Sequence, residues 1–390
     1  MNWPTVELQE VCRTGSGTTP SRRKTEFYSG NIPWVKSGEL RETEIMDTEE
    51  HVSEEAVKST SLKIVPPGSL LVAMYGATVG RVGLLGVEAT TNQAVCHVIP
   101  DPKKANNRYL FHLLQERAQE LIGRGVGGAQ PNINQGTIKQ LQIPLPPLDE
   151  QKRIAAILDQ ADELRRLRQR AIDRLNTLGQ AIFHEMFGDP SRNHMDWTMG
   201  TIRDLLIEAK YGTSKKANTE GKGIPVLRMG NITYDGALDL SDLKYVELSE
   251  KELPKHTAKY GDILFNRTNS KELVGKTAVY DRAETMALVG YLVRARVNER
   301  GNPFYISAYM NSAHGKKTLR NMCKNIVGMA NINAQEFQNI SIAIPPVELQ
   351  DKFANLVVQI GKKREIFEEA QKKDEALFAS LQSKAFLGDL

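Results

Sequence analysis

A proline-rich turn followed by a long amphipathic segment occurs twice in this chain, and this repeat constrains the fold more than any other feature. The first copy covers residues 143–189 and begins Ile-Pro-Leu-Pro-Pro-Leu-Asp-Glu-Gln-Lys-Arg-Ile. The second copy covers residues 342–389 and follows in the same register 199 residues later. Two copies with one register, a proline-rich start and a glycine end indicate one structural unit used twice.

Each copy is predicted to be a long helix. Prolines up to Pro147 fix φ and lack N–H donors, so no helix or strand runs through them. Asp149 and Glu150 follow directly, where a helix N-terminus favours negative charge. Gly188 and Pro190 then end the helix. Each helix has about 36 residues and a length of about 54 Å.

Apolar residues recur every seven positions in both copies. Two series, starting at Ile154 and Ile157, have eight apolar residues in ten positions, and their counterparts from Phe353 and Leu356 have seven in ten. This spacing predicts that each helix packs one stripe against a partner helix. The predicted pairing residues are Ile154, Ile157, Leu164, Leu175, Leu178, Ile182, Phe353, Leu356, Ile360, Phe367, Leu377 and Leu381.

Connectivity then predicts the architecture. A chain that runs domain, helix, domain, helix can pair its helices only if they are antiparallel, with one domain at each end and a pseudo-twofold axis between them. We therefore expect an α+β protein with two similar mixed α/β domains separated by two long antiparallel coiled-coil helices. The expected bounds are 1–148 and 190–346 for the domains, and 149–189 and 347–390 for the helices.

Composition narrows the class of protein. The chain is 40% hydrophobic and 25% charged, and no apolar run approaches the roughly 18 residues of a membrane span. Its N-terminus lacks a signal-peptide pattern, and its three cysteines have no disulfide or metal spacing. These features predict a cytoplasmic protein that does not bind a membrane. The net charge of +4 permits nucleic-acid binding without requiring it.

Polar loops in the first domain are the candidate DNA-binding sites. Residues 13–24 form a flexible basic loop rich in hydroxyl groups, which suits phosphate contacts. Residues 123–134 match the dinucleotide pattern G-x-G-x-x-G, but they follow a helix and lead into Pro131, so we reject that function. Their Arg, Gln and Asn side chains suit base edges. The candidates are Arg13, Ser16, Thr18, Thr19, Arg22, Lys36, Arg81, Asn92, Gln93, Arg124, Gln130 and Asn132.

The second domain repeats the framework of the first and changes its loops. Residues 224–230 correspond to residues 32–38, and Asn331-Ile332-Asn333 corresponds to Asn132-Ile133-Asn134. Related frameworks with different polar loops are what two readers of different short sequences need. The candidates in this domain are Tyr211, Ser214, Lys215, Lys216, Arg228, Asn231, Arg267, Asn269, Lys271, Lys276 and Asn331.

The sequence contains no recognisable catalytic, cofactor or metal motif. Residues 302–305, Asn-Pro-Phe-Tyr, lack the second proline of the Asn-Pro-Pro-Tyr/Phe motif of adenine methyltransferases. No phosphate-binding P-loop is present, and the histidines lack ligand spacing. We therefore predict a protein without a catalytic site.

The helix start at 144–154, the segment Met-Phe-Gly-Asp-Pro at 186–190 and the later Trp197 strongly resemble the specificity subunits of type I restriction–modification systems. The resemblance covers essentially the whole chain. It departs at Val347-Glu348-Leu349, which replaces Leu148-Asp149-Glu150, so the second helix is expected to begin less sharply.

The resemblance implies a function and partners. Each domain would bind one half of a bipartite double-stranded DNA target, and the helices would set the spacer and dock two methyltransferase subunits. Restriction subunits would complete an ATP-dependent nuclease. S-adenosylmethionine, ATP and Mg²⁺ would be held by those partners and not by this chain.

Two other functions stay open from the residues alone. One is a nuclease or methyltransferase that acts without partners. The other is a coiled-coil scaffold whose loops bind proteins instead of DNA.

Overall fold

A computed structural model describes residues 3–125, 132–326 and 329–390. The chain divides into two compact units. The first unit comprises Met1–Arg168 and Ala370–Leu390, and the second comprises Gln169–Glu369. The division falls within both long helices, so each unit contains part of each helix.

The first half of the chain consists of short strands and short helices and ends in a long helix. Its strands are β1 (Thr5–Glu7), β2 (Cys12–Ser16), β3 (Ile32–Val35), β4 (Glu44–Ile45), β5 (His51–Val52), β6 (Leu70–Ala73), β7 (Val82–Leu85), β8 (Thr90–Thr91), β9 (Val95–Pro100) and β10 (Gln142–Pro144). Its helices are α1 (Leu8–Val11), α2 (Glu54–Ser59), α3 (Asn107–Glu116), α4 (Ala118–Gly123), α5 (Gln135–Lys139) and the long α6 (Leu148–Phe187).

The second half also ends in a long helix. Its strands are β11 (Thr198–Thr201), β12 (Leu206–Tyr211), β13 (Ile224–Leu227), β14 (Lys244–Val246), β15 (Thr257–Ala258), β16 (Ile263–Asn266), β17 (Thr268–Asn269), β18 (Thr277–Val279), β19 (Met286–Leu288), β20 (Leu292–Val297), β21 (Lys324–Ile326), β22 (Met329–Asn331) and β23 (Ser341–Ile344). Its helices are α7 (Leu253–His256), α8 (Pro303–Asn311), α9 (Ala313–Met322), α10 (Ala334–Gln338) and the long α11 (Val347–Leu387).

The strand order of the first unit recurs in the second. The order β2-β9-β6-β7-β4 corresponds to β12-β20-β16-β18, and β5-β3-β8 corresponds to the first three strands of β14-β13-β19-β15. The pairs β1-β10 and β11-β23 also correspond. The second unit also contains a small three-stranded sheet, β17-β22-β21. Duplication therefore extends from the sequence to the hydrogen-bonding pattern of the sheets.

Both long helices contribute to the hydrophobic core of each unit. In the first unit Ile154 and Leu158 of α6 and Phe386 of α11 join one buried cluster. In the second unit Phe183 of α6 and Phe353 of α11 do the same. Burial of such apolar side chains contributes about 1.5–3 kcal/mol each, so each domain is stabilised by both helices.

The helices run antiparallel within each unit. In the first unit the middle of α6 meets the C-terminal half of α11, where Arg168 Nε lies 3.0 Å from Asp374 Oδ2. In the second unit Phe183, near the end of α6, packs edge-on against Phe353, near the start of α11, with ring centroids 5.7 Å apart.

The buried helix positions correct part of the predicted pairing pattern. The leucines Leu164, Leu178, Leu356 and Leu377 are between 40% and 52% exposed. In the series predicted from Ile157 and Leu356, the buried positions lie one residue further along each helix, at Leu158 and Ile172 in α6 and at Phe378 and Ala385 in α11. Ile154 and Phe353 of the other series are buried, as predicted. The error is the same in both copies, because an apolar residue on either side of the true seam satisfies a seven-residue repeat.

A charged contact holds each domain to the helix that follows it. Arg166 of α6 donates a hydrogen bond to the main-chain oxygen of Glu42. At the position 199 residues later, Glu365 of α11 accepts a hydrogen bond of 2.9 Å from Arg282 Nη1. Residues 166 and 365 are equivalent in the repeat but carry opposite charges.

A buried glutamine fixes the start of each long helix. Gln151 is fully buried; its Nε2 donates to the oxygens of Lys104 and Pro146, and its Oε1 accepts from Asn106 N at 2.8 Å. The amide joins the helix start to the segment that precedes α3. Its planar group satisfies one donor and two acceptors that would otherwise be buried without partners.

Gln350 repeats these bonds in the second unit. It is also fully buried, donates to the oxygens of Arg300 and Pro345, and accepts from Asn302 N at 2.8 Å. Each of the three distances is the same in both copies, so α11 is anchored as firmly as α6 despite its different first turn.

Among the described residues, no helix is long and apolar enough to cross a membrane.

We expect Gln151→Leu to lower the free energy of unfolding by about 1–3 kcal/mol, because it leaves the Asn106 N–H and two carbonyl oxygens buried without partners. Urea denaturation measures the change. Gln160→Leu, at an exposed position of the same helix, is the control and should leave the midpoint nearly unchanged. Equal midpoints for both variants would contradict the role assigned to the buried amide.

Candidate nucleic-acid interface

A glycine marks the point where the chain crosses from one sheet to the other in each unit. A Cβ on Gly17, just after β2, would lie 1.8 Å from the main-chain oxygen of Thr91. A Cβ on Gly212, just after β12, would lie 2.2 Å from that of Leu288. Only glycine allows this close approach, which brings the loop that follows it against the end of a neighbouring strand.

Main-chain hydrogen bonds then gather loops at one edge of the first unit. Thr18 N donates to Thr91 O at 3.0 Å, Met74 N donates to Ala94 O at 2.8 Å, and Ile133 N donates to Met74 O at 2.8 Å. We call residues 17–24, 74–81, 92–94 and 132–134 the first loop edge.

The second unit repeats this arrangement. Thr213 N donates to Leu288 O at 2.7 Å, Arg267 N donates to Tyr291 O at 3.0 Å, and Ile332 N donates to Arg267 O at 2.9 Å. We call residues 212–223, 267–276, 289–292 and 331–333 the second loop edge. Loops that are distant in sequence thus converge in both units through equivalent bonds.

Several predicted residues of the first domain meet at this edge. The hydroxyl of Thr19 donates to Gln93 Oε1, and the hydroxyls of Thr18 and Ser61 lie 2.8 Å apart. Asn92 Oδ1 accepts from Ala94 N at 3.1 Å, which holds the neighbouring Gln93 at the exposed turn. The other predicted residues at this edge are Ser16, at the end of β2, and Arg81 and Asn132, and all three are exposed.

Two predicted cations of the first domain are engaged by carboxylates. Arg22 donates to both oxygens of Glu50, and its guanidinium lies 4.3 Å above the ring of Tyr28. Lys36 Nζ lies 3.0 Å from the same carboxylate. The bonds from Arg22 and Lys36 lower the pKa of Glu50 to about 2. Part of the donor capacity of both cations is therefore used within the domain.

The remaining predicted cations of this domain differ in their surroundings. Arg124 lies 2.5 Å from Glu120, one turn earlier in the chain. Arg13 and Arg81 are exposed and have no ion pair with any described residue. Gln130, also predicted, lies outside the described residues.

The centre of the second loop edge is a cluster of three predicted residues. The Arg267 guanidinium lies 5.0 Å above the ring of Tyr211 and donates to Asn331 Oδ1 at 3.1 Å. Asn331 Nδ2 donates to Thr268 Oγ1 at 3.1 Å, and Tyr211 OH accepts from Ala334 N. Arg267 is therefore held over an aromatic ring and beside an asparagine, and both side chains are of the types that pair with base edges.

Three predicted residues of the second domain support the scaffold instead. Asn231 is buried, and its amide bonds Arg228 N, Asp239 O and Asp242 O. The side chain of Arg228 pairs with Asp242 at 2.7 Å. Lys276 donates to two main-chain oxygens, and burial lowers its pKa. Each of these three side chains therefore already has hydrogen-bond partners within the domain.

The other predicted residues of this domain lie at its surface. Ser214, Lys216 and Lys271 are exposed. Lys215 is exposed but lies 2.7 Å from Glu252, and Asn269 Oδ1 accepts from Ser270 N at 2.9 Å.

Sequence reasoning missed two aromatic features of these edges. Tyr291, which is 50% exposed, supplies the main-chain oxygen bonded by Arg267 N. In the first unit Trp34 and Tyr28 meet edge-on at 5.7 Å, beside Arg22. Alignment of the two repeats could have drawn attention to Tyr291, because it occupies the loop that corresponds to Gln93.

Within the described ranges, no group of three or more His, Cys, Asp or Glu side chains is arranged to hold a metal ion.

The fold is thus a tandem duplication in which each α+β domain presents a four-loop edge and is joined to long antiparallel helices. Residues 1–177 and 194–376 match the model of the type I restriction modification DNA specificity domain, and the chain belongs to that family. The predicted family and fold class are confirmed by this match.

Curated relatives agree over most of the chain. It is 25% identical over 382 residues to the type I restriction enzyme EcoKI specificity subunit of Escherichia coli, covering 91% of this chain and 81% of the relative. It is 24% identical over 393 residues to the MjaIX specificity subunit of Methanocaldococcus jannaschii, covering 93% and 87%. Both are named as specificity subunits, in agreement with the prediction that this chain is not the catalytic component.

Solved structures share the fold. The S subunit of a type I restriction–modification system from M. genitalium superposes with a TM-score of 0.63 at 15% identity, covering 99% of this chain and 96% of the other. A chain from a study of complex assembly and conformational transition of the type I R-M system gives 0.58 at 20% identity, covering 100% and 98%.

We expect Gly212→Ala to destabilise the protein by about 1–3 kcal/mol, because the added Cβ collides with main-chain atoms of β19 that cannot move aside. Thermal unfolding measures this change. Gly230→Ala is the matched control in the same unit, since no heavy atom lies within 4 Å of its added Cβ. A Gly212→Ala protein as stable as the control would show that the crossing tolerates a side chain.

Proposed function

We propose that this chain is the non-catalytic specificity subunit of a type I restriction–modification complex, and that each loop edge reads one half of a bipartite double-stranded DNA target. The observation that carries this proposal is the repeated edge. Equivalent main-chain bonds at Met74 and Arg267 build the same support, while the side chains on it differ. Two readers with a common support and different polar groups suit two different half-sites.

Direct readout requires side chains that pair with base edges. In the second loop edge, Arg267 can donate two hydrogen bonds to guanine, and Asn331 can pair with adenine. In the first loop edge, Asn92, Gln93 and Asn132 offer amides for the same purpose. The exposed cation Arg81 of the first loop edge has no ion pair with any described residue, which suits a contact to phosphate, whereas Arg13 lies near the other end of β2, beside Pro100 and Lys152.

We further propose that the long helices set the spacer and dock two methyltransferase subunits. Each helix is uninterrupted, with 40 residues in α6 and 41 in α11. Apolar side chains remain exposed along them, including Leu167 at 51% and Ile366 at 65%. Leu164 and Leu377, which were expected to pair the helices, belong to this exposed set and are available to a partner.

The proposal assigns all cofactors to the partners. S-adenosylmethionine would be held by the methyltransferase subunits, and ATP and Mg²⁺ by the restriction subunits. This chain would contribute the DNA target and the assembly of the complex. The alternatives are a stand-alone nuclease or methyltransferase and a protein-binding scaffold, and methylation mapping combined with binding assays separates them from the proposal.

The experiment is long-read mapping of adenine methylation in cells that express this chain with its methyltransferase partner. We expect methylation at one bipartite sequence, lost when this chain is deleted. Methylation that persists without it would refute the proposal. Purified chain that turns over DNA without a partner would support an enzyme, and a complex that binds no DNA would support a scaffold.

We expect Arg267→Lys to weaken binding to the half-site read by the second loop edge by about 5- to 150-fold, the effect of losing one bidentate base contact. Lysine keeps the charge but lacks the planar pair of donors. Competition binding of the complex to DNAs altered in one half-site measures the loss.

Arg203→Lys is the control for this prediction. Arg203 is exposed and precedes β12, at the opposite end of that strand from Tyr211. Binding by Arg203→Lys should be unchanged. Equal weakening of Arg267→Lys on every DNA sequence would mean that Arg267 contacts phosphate.

A further inference from the structure

Helix α9 lies directly beside the second loop edge. A Cβ on Gly275, which belongs to that edge, would lie 2.6 Å from the side chain of Leu319 in α9. Lys316, one turn earlier in α9, donates a hydrogen bond from Nζ to the main-chain oxygen of Tyr234 at 2.8 Å. The same Nζ lies 3.3 Å from the centre of the Tyr234 ring. These contacts hold one face of α9 against the domain.

Two further cations of α9 lie at the exposed side of this contact. Lys317 and Arg320 are exposed, and neither has a carboxylate partner among the described residues. Arg320 Nε donates only to the main-chain oxygen of Lys316. Burial lowers the pKa of Lys316, and the nearby charge of Arg320 lowers it further, although Asp235 opposes the shift. Lys317 and Arg320 are therefore the cations of α9 that remain exposed to solvent.

The counterpart in the first unit lacks this charge. Helix α4 occupies the same place, since a Cβ on Gly80 would lie 2.9 Å from the side chain of Ile122. Its flanking cations Arg117 and Arg124 both pair with Glu120, at 3.0 and 2.5 Å. The duplicated helix is thus internally neutralised in one unit and basic in the other.

Positions three apart on a helix lie side by side, so Lys317 and Arg320 form a pair of neighbouring donors. Lys271, in the adjoining loop, adds a third exposed cation. Groups of this kind contact successive phosphates and fix a protein on its duplex without reading bases. Arg320 also lines a depression at the surface beside α9. Among the described residues of that depression, the one carboxylate is that of Glu272, the residue that follows Lys271.

We propose that Lys317 and Arg320 of α9 bind the phosphate backbone of DNA and position the duplex on the second loop edge, and that Arg117 and Arg124, which flank α4 in the first unit and pair with Glu120, do not make this contact. This inference rests on the proposed function. It means that α9 adds salt-dependent affinity at the second half-site, while base discrimination remains with the loops. The chemistry recognised is the regular spacing of phosphates on duplex DNA.

The test uses the complex of this chain with its methyltransferase partner, the duplex that contains its mapped target, and a titration of affinity against salt. In Lys317→Gln/Arg320→Gln, we expect the slope of log affinity against log salt to fall by about 2, since each lost phosphate contact removes about 0.9. The preference for target over altered DNA should be unchanged.

The control is Arg203→Gln/Arg300→Gln, which removes the same charge from two exposed positions of the same unit, at the opposite end of its central sheet from the second loop edge. Its slope should match that of the parent complex. A double variant of α9 with the parent slope would overturn the inference, as would a selective loss of binding to one base sequence. If the parent complex failed to prefer any duplex, the proposed function itself would fall.

Discussion

In each unit the placement of the loop edge relative to the long helix depends on one buried glutamine amide. Gln151 and Gln350 each close three hydrogen bonds between a helix start and the chain segment before a domain helix. A glutamine in this position cannot be replaced by an apolar residue without leaving main-chain groups unpaired. Its bonds fix the direction in which each helix leaves its domain, and thereby the orientation of the loop edge relative to that helix. The aromatic residues that close the other helix ends, such as Phe386 against Tyr109, complete the anchoring by packing.

The two loop edges use one support in different electrostatic ways. In the first unit Arg22 and Lys36 share Glu50, so these two cations are paired within the domain. In the second unit Arg267 is held on Tyr211 beside Asn331, and further cations remain exposed. Duplication has therefore preserved main-chain geometry while charge has been redistributed. The same main-chain framework therefore carries different polar side chains in the two units.

Much of the fold followed from the sequence, because the repeat, its register and its proline and glycine boundaries are local signals. The short strands were also predictable from apolar runs, as at β6. What the sequence left open depends on tertiary context. Leu164 satisfies a heptad pattern yet faces solvent, since the pattern does not distinguish the buried seam from its neighbour. Asn231 and Lys276 resemble exposed loop residues, but their partners are main-chain oxygens distant in sequence. Charge pairs such as Arg22 with Glu50 likewise arise only when the sheets assemble.

The charged contact at residues 166 and 365 limits how freely the halves could be exchanged. A first domain moved onto α11 would keep the glutamine bonds but would present the oxygen of Glu42 to the Glu365 carboxylate, which cannot donate to it. A second domain moved onto α6 would bring Arg282 against Arg166. The two halves therefore share the glutamine bonds at the helix start but differ in charge at residues 166 and 365, so that each domain is matched to its own helix.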